Sequence, residues 1–243
     1  NNGNVSTCTA TVTVEDNVEP TIVTQDISVQ LDANGVATIT PEDIDNGSSD
    51  NCEIDSMSLD ITEFSCADID NPVTVTLTVI DVNGNEASKT ASVTVEDNVD
   101  PTVVTQNITV QLNENGEATI TPEDIDNGSS DNCEVDRMSL DITEFSCVDV
   151  DNPVTVTLTV IDVNGNESSA TALVTVEDNV APIVKTQSIT VQLDANGVAS
   201  ITPEDIDNGS SDNCEIDTMS LDITEFSCVD VDNPVTVTLT VID

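Results

Sequence analysis

Aspartate and asparagine recur through this chain in three groups, and together they offer only hard oxygen ligands. One group is Asp16 with Asn17, repeated as Asp97 with Asn98 and as Asp178 with Asn179. The second is Asp43, Asp45 and Asp50, repeated as Asp124, Asp126 and Asp131 and as Asp205, Asp207 and Asp212. The third is Asp81, Asn83 and Asn85, repeated as Asp162, Asn164 and Asn166. Oxygens at this density are the chemistry of a calcium site, since Ca²⁺ takes six to eight of them. Two carboxylates held about 4 Å apart repel by roughly 4 kcal/mol at an effective dielectric of 20. Several together would splay the backbone that carries them unless a cation neutralises them. Neither D-x-D-N-G nor D-x-N-G-N has the length and terminal Glu of an EF-hand loop. The competing reading is a solvated acidic surface that keeps the protein soluble in salty water.

Cysteine supplies the second recurring chemistry. Six of the seven cysteines form one pair per passage: Cys52 with Cys66, Cys133 with Cys147, and Cys214 with Cys228. No His accompanies them, and two thiols per passage fall short of the four soft ligands of a structural zinc site. The pairs read as disulfides formed in an oxidising compartment. Closed within each passage, such a loop contributes roughly 3 kcal/mol. Cys8 is the odd one, standing where later passages have Lys89 and Ala170.

The elements that must position these groups come from a sequence written three times, with equivalent passages starting at Asp16, Asp97 and Asp178. Val73 to Val79 alternates apolar residues with Thr, the pattern of a strand with one buried face. After an Asn-Gly turn at Asn83 and Gly84, Ala91, Val93 and Val95 alternate with Ser92 and Thr94, completing a hairpin. Further strands are expected over residues 27–31, 36–40 and 54–61, and Pro41 to Ile44 fits one short helical turn. The fold class that follows is all-β: tandem immunoglobulin-like antiparallel β-sandwich repeats of about 81 residues, forming an extended rod. The expected boundaries are 1–16 (the last strand of a preceding repeat), 17–97, 98–178, and 179–243 (a repeat lacking its last strand), a window on a longer array. Each joint is short and carries Pro20, Pro101 or Pro182, which stiffens it.

Composition narrows the function. Forty-eight acidic residues against three basic ones give a net charge of -45, which excludes nucleic acid and anionic membrane surfaces as partners. No apolar run is long enough to insert in a membrane as a helix. With no Trp, Tyr or His, the core must be aliphatic, filled out by Met57, Met138 and Met219. Catalysis lacks its usual parts: there is no His, the thiols look paired, and Lys89, Arg137 and Lys185 occupy non-equivalent positions.

The D-N-x-x-P joint, the S-x-D-N-C segment that ends at Cys52 and the D-x-N-G-N turn together resemble the HYR-type immunoglobulin-like repeats. Those occur in very large cell-surface adhesins of Bacteroidetes, including adhesins used in gliding motility. The resemblance covers the whole chain and implies a secreted, surface-displayed, multi-repeat protein whose surface ligand lies at a tip outside these residues. It departs in one respect, because many such repeats carry a Cys in the last strand and here only Cys8 does. Asp55-Ser56-Met57 and Asp217-Thr218-Met219 resemble a short O-glycosylation acceptor, making Ser56 and Thr218 candidates, whereas the second repeat has Arg137 there. Asn46-Gly47-Ser48 fits an N-glycosylation sequon and equally a turn.

Three functions fit these features. The first is a structural stalk or filament segment of an adhesin, rigidified by Ca²⁺ at the joints, its partners being further copies of the same repeat. The second is a repetitive array gripping sugar, ice or mineral by avidity through the ladder of Thr74, Thr76 and Thr78. The third is a filament subunit polymerised by strand donation.

Overall fold

Alternation of apolar residues with Thr and Ser produces the longest strands of the chain. A computed structural model describes residues 2–69 and 71–243. In the first repeat the strands are β1 (Ile27–Gln30), β2 (Val36–Thr38), β3 (Ile54–Leu59), β4 (Glu63–Ser65), β5 (Val73–Asp81) and β6 (Glu86–Glu96). β5 and β6 form the expected antiparallel hairpin, with Val75 opposite Ala91 and Thr76 opposite Thr90. β3 pairs with the other edge of β5, and β1 pairs with β6, so the sheet order is β1-β6-β5-β3. β2 and β4 make a second, two-stranded sheet. Val75, Leu77, Val79, Val93 and Val95 from the larger sheet meet Ala37, Ile39, Phe64 and the short-helix residue Ile44 in one buried core. That arrangement is an immunoglobulin-like sandwich with an aliphatic core and a single aromatic ring.

One pairing departs from the antiparallel expectation. β1 runs parallel to β6, with Ile27 opposite Val93 and Gln30 opposite Glu96. The whole repeat separates the two strands, so no hairpin fixes their relative direction. The chain accordingly enters the sheet at one end and leaves it at the other.

By contact density the chain divides into two units. The first holds the described residues up to Pro101 with Ser130–Val135 and Asp162–Asn166. The second holds Thr102–Ser129, Asp136–Ile161 and Glu167–Asp243. The second repeat contributes β7 (Ile108–Gln111), β8 (Glu117–Thr119), β9 (Val135–Leu140), β10 (Glu144–Ser146), β11 (Val154–Asp162) and β12 (Glu167–Glu177), paired as in the first. The third keeps only β13 (Val198–Ser200), β14 (Thr218–Leu221), β15 (Glu225–Ser227) and β16 (Leu239–Ile242), around Ile201, Ile206 and Leu239. Each repeat also has one short α-helix, α1 (Pro41–Ile44), α2 (Pro122–Ile125) or α3 (Pro203–Ile206), and one 3-10 turn, at Cys66–Asp68, Cys147–Asp149 or Cys228–Asp230.

The disulfides correct the sequence reading. Cys66 bonds Cys133, with their Cα atoms 5.6 Å apart, and Cys147 bonds Cys214 at 5.4 Å. Each links one repeat to the next, whereas pairing Cys52 with Cys66, Cys133 with Cys147 and Cys214 with Cys228 was expected. Strand direction supplies the reason. Cys52 precedes β3 at the entry end of its sandwich. Cys66 follows β4 at the exit end, beside the turn that joins β1 to β2. The two are held apart by the body of the domain, and Cys66 meets the entry end of the following repeat instead. Cys8, Cys52 and Cys228 are free and exposed.

The closed loops span a sequence separation of 67, for which chain entropy gives about 4 kcal/mol per bond. Non-reducing peptide mapping is expected to recover the Cys66–Cys133 and Cys147–Cys214 linkages. Cys147→Ser should lower the melting temperature by roughly 10 °C at about 2–4 °C per kcal/mol. Recovery of a Cys133–Cys147 peptide would restore the within-repeat pairing.

Candidate acidic joint site

Every joint turns on an aspartate that hydrogen-bonds its own backbone. Asp97 Oδ1 accepts the Val99 N–H at 3.1 Å, an Asx turn that fixes the chain as it leaves β6. Over it folds the loop of Asp131, Asn132 and Cys133. The Asn132 side-chain amide donates to Asp97 Oδ1 and to the Asp32 carbonyl, each at 3.1 Å. Asp131 Oδ2 accepts the Cys133 N–H at 2.9 Å. From the β11–β12 turn, the Asn166 amide donates to the Asp97 carbonyl at 3.2 Å and to Asp162 Oδ2 at 2.7 Å. One residue of the joint is therefore tied to two loops of the next repeat.

The electrostatics of this cluster are unbalanced. Asp97 is only 7% exposed, and its Oδ2, Asp131 Oδ1 and Asn132 Oδ1 are buried without a hydrogen-bond donor. Asp131 and Asp97 offer oxygens within 4.8 Å of each other. Cys133 Sγ lies in the same group, but it is spent in a disulfide and is no metal ligand. The pattern repeats: Asp16 groups with Asp50, and Asp178 with Asp212 and Asp243. Asp50 Oδ1, Asp212 Oδ1 and Asn213 Oδ1 are likewise buried and unpartnered. Burying a carboxylate oxygen with no partner is costly, and the arrangement of acceptors without donors suits a hard cation.

The remaining acidic groups have local duties. Asp43, Asp124 and Asp205 each close a capping box, accepting from the backbone N–H and hydroxyl of Thr40, Thr121 or Thr202. Asp45, Asp126 and Asp207 hold the Gly-Ser turn that follows them. Asp81 and Asp162 are buried, and their oxygens are occupied by the hairpin turn: Asp162 Oδ1 takes the N–H groups of Asn164, Gly165 and Asn166. Asn83 and Asn164 donate backbone N–H groups to these aspartates, and Asn85 ties Asp16 to Asp81 as Asn166 does one repeat later. Asn98 and Asn179 donate to Gln30 and Gln111, and Asn17 is exposed. Ser56 and Thr218 are exposed strand residues.

Several carboxyls are held below the ordinary value of 3.8 by these bonds. For Asp81, burial pushes the other way and is outweighed by the Asn85 side chain and by the N–H groups of Asn85, Asn83 and Gly84. Asp16 is lowered first by the Cys52 thiol beside it, then by Val18 and Asn51, and the same contact pushes the Cys52 thiol up. Asp60, Asp141 and Asp222 are lowered by the N–H of Thr76, Thr157 or Thr238.

The sequence reading missed the receiving surface. The turn of Asp32 to Gly35 accepts the Asn132 amide, and a Cβ on Gly35 would stand 2.7 Å from the Asn132 carbonyl and 2.9 Å from Cys66 Sγ. Gly116 meets Asn213 and Cys147 in the same way, at a φ of +75°. The signal was present as an A-N-G or E-N-G turn recurring in register with the cysteines.

No known family model matches the chain, and no curated relative does. Among solved structures it is similar to extracellular cadherin domains 1–4 of protocadherin gamma B7 (10% identity, 93% of this chain and 76% of that one, TM-score 0.34). It is also similar to the titin I-band fragment I67–I69 (12% identity, 85% and 79%, TM-score 0.34). A third is Drosophila OTK extracellular domains 3–5 (12% identity, 65% and 62%, TM-score 0.30). The fold assignment above rests on the strand pairing of this chain itself.

Two expectations follow from the site. Gly116→Ala should destabilise more than Gly128→Ala. Both glycines have positive φ, where a side chain costs about 1–2 kcal/mol, but a Cβ at Gly128 meets nothing within 4 Å. Equal melting temperatures for the two variants would mean the receiving turn is not packed as described. The second expectation concerns pH. Carboxyls with lowered values contribute stability that is present above about pH 4 and is lost as pH falls below it through their folded values. Thermal melts by circular dichroism should fall there. A melting temperature that climbs instead would show that relief of carboxylate repulsion outweighs the lost hydrogen bonds.

Proposed function

We propose that this chain is a stalk segment of a secreted, surface-displayed multi-repeat adhesin of the HYR type, with Ca²⁺ held at its joints. The observation that carries the reading is the trio of buried, donorless oxygens on Asp97, Asp131 and Asn132. Charge makes a cation from solution the natural complement, because only three basic residues exist among 243. The ion would take Asp97 Oδ2, Asp131 Oδ1 and Asn132 Oδ1, with water completing its shell. Tandem repeats that differ at few positions suit a spacer, which needs length and no unique site. Disulfides between repeats suit an oxidising, extracellular setting. The outward face of β5 carries Thr74, Thr76 and Thr78 opposite Ser92, Thr90 and Ser88, without an aromatic platform for sugar, so an avidity array is less well supported.

Calorimetric melts and small-angle scattering in Ca²⁺ and in chelator, at matched ionic strength, test this reading. At a hundredfold excess over Kd the ion should stabilise by about 2.7 kcal/mol, a rise of roughly 5–10 °C. Asp131→Asn should remove most of that rise while leaving the chelated melting point near wild type. If melting and scattering ignore calcium, the acidity serves solubility.

A further inference from the structure

The bond from Cys66 to Cys133 is part of the wall of the joint site, so sulfur redox state and cation binding act on the same few atoms. Cys133 follows Asn132 directly, and its N–H donates to Asp131 Oδ2 at 2.9 Å. Its Sγ lies within 4.8 Å of an oxygen of Asp97 and of an oxygen of Asp131. On the other side of the bond, Cys66 Sγ is 3.7 Å from the Asn132 carbonyl oxygen. All of these groups belong to the first compact unit.

The second unit repeats the arrangement. There the Asn213 amide donates to Asp178 Oδ1 at 3.1 Å and to the Asn113 carbonyl at 3.2 Å. The Cys214 N–H donates to Asp212 Oδ2 at 2.9 Å, and Cys147 Sγ lies 3.5 Å from the Asn213 carbonyl oxygen. Asp212 Oδ1 and Asn213 Oδ1 are the buried oxygens without a donor.

Two effects tie the disulfide to the site, and they have the same sign. The first is the tether. The loop carrying Asp131 and Asn132 must stay against Asp97 in spite of carboxylate repulsion. The Asn132 amide helps to hold it through Asp97 and the Asp32 carbonyl, but such bonds are individually weak. The disulfide fixes the loop whether or not they are made, so the oxygens are gathered before an ion arrives. The second effect is a proton. A Cys133 thiol carries an S–H, a weak donor, within reach of the joint carboxylates. In the disulfide that sulfur has no proton to give, and Asp97 Oδ2 and Asp131 Oδ1 are left as acceptors without a donor.

We infer that disulfide and cation bind cooperatively at each joint. Closing Cys66–Cys133 or Cys147–Cys214 creates the tight cation site, and a bound Ca²⁺ protects that disulfide from reduction. This rests on the calcium reading of the joints and adds their regulation. Reduction by a dithiol breaks the S–S bond and leaves each sulfur as a thiol. The two electrons and two protons come from the dithiol, which closes to its cyclic disulfide. Linkage makes the coupling reciprocal: the factor by which reduction weakens calcium binding is the factor by which calcium disfavours reduction. A reducing, calcium-poor surrounding therefore loosens a joint twice over, while either condition alone is resisted by the other.

The test uses the full chain. Calorimetric titration with Ca²⁺ is run on the oxidised chain and on the chain in excess dithiothreitol, with circular dichroism following the fold of both. The reduced chain should bind calcium about 10- to 100-fold more weakly. In the reciprocal experiment the chain is equilibrated in mixtures of reduced and oxidised dithiothreitol, with calcium or with chelator. Alkylation then quenches exchange, and peptide mapping quantifies each linkage. Calcium should favour the disulfides by the same factor, tenfold corresponding to about 30 mV. Asp131→Asn separates this coupling from general stabilisation of the fold. It should erase the calcium shift at Cys66–Cys133 and leave the shift at Cys147–Cys214. Should reduction unfold the chain, this bond-by-bond comparison still reads the coupling. Both bonds shifting together in that variant, or equal calcium affinity in oxidised and reduced chains, overturns the inference and leaves the joint calcium in place. An oxidised chain that binds no calcium overturns the joint reading and the coupling with it.

Discussion

The burial of a joint carboxylate beneath a loop of the next repeat is the constraint on which the rest of this structure depends. Asp97 is fixed by its own Asx turn, covered by Asn132 and reached by Asn166. Each bond is ordinary, but the cluster collects negative charge with almost no basic residue in the chain to meet it. Something must hold the loop down against that repulsion. The disulfide from Cys66 to Cys133 does so next door, and the glycine turn at Gly35 lets the two surfaces approach that closely.

The small core makes these boundary contacts matter more than they would in a larger domain. Each sandwich has one Phe and otherwise short aliphatic side chains, near the size at which a single core is marginal. Stability is therefore spread over many side-chain-to-backbone bonds: capping boxes at Thr40 and Thr121, Asx turns at Asp81 and Asp162, and the Gly-Ser turns held by Asp45 and Asp126. Much of the acidity is structural in this local sense. The joint aspartates differ because they keep oxygens that no donor reaches.

Local pattern made the sandwich legible. The Val-Thr alternation of β5, the Asn-Gly turn and the short helix at Pro41 all lie where periodicity and turn chemistry put them. The direction of β1 was not legible, because pattern gives a strand its faces and says nothing of which distant neighbour it joins. Nor was the cysteine pairing. In a periodic chain Cys133 is offered Cys147 just downstream and Cys66 further upstream with equal regularity, and only strand direction decides. The acidic groups were partly separable in hindsight: Asp43 follows a Thr at capping-box spacing and Asp45 precedes Gly-Ser, both signs of local hydrogen bonding. Asp50, before Asn51 and Cys52, has no such local claim on its second oxygen.

The cross-repeat disulfides also change how a pull on the chain would be carried. Between Cys66 and Cys133, and again between Cys147 and Cys214, the covalent shortcut runs through sulfur. The residues inside each loop, β5 to β8 in the first and β11 to β13 in the second, are taken off the taut path. Tension passes from one bond to the next only through residues 133–147, which hold β9 and β10. Between Cys66 and Cys214, a force large enough to open a sandwich could lengthen the protein by little more than that short segment. That stretch would behave under load as a nearly inextensible tether, with the strands inside the two loops bypassed.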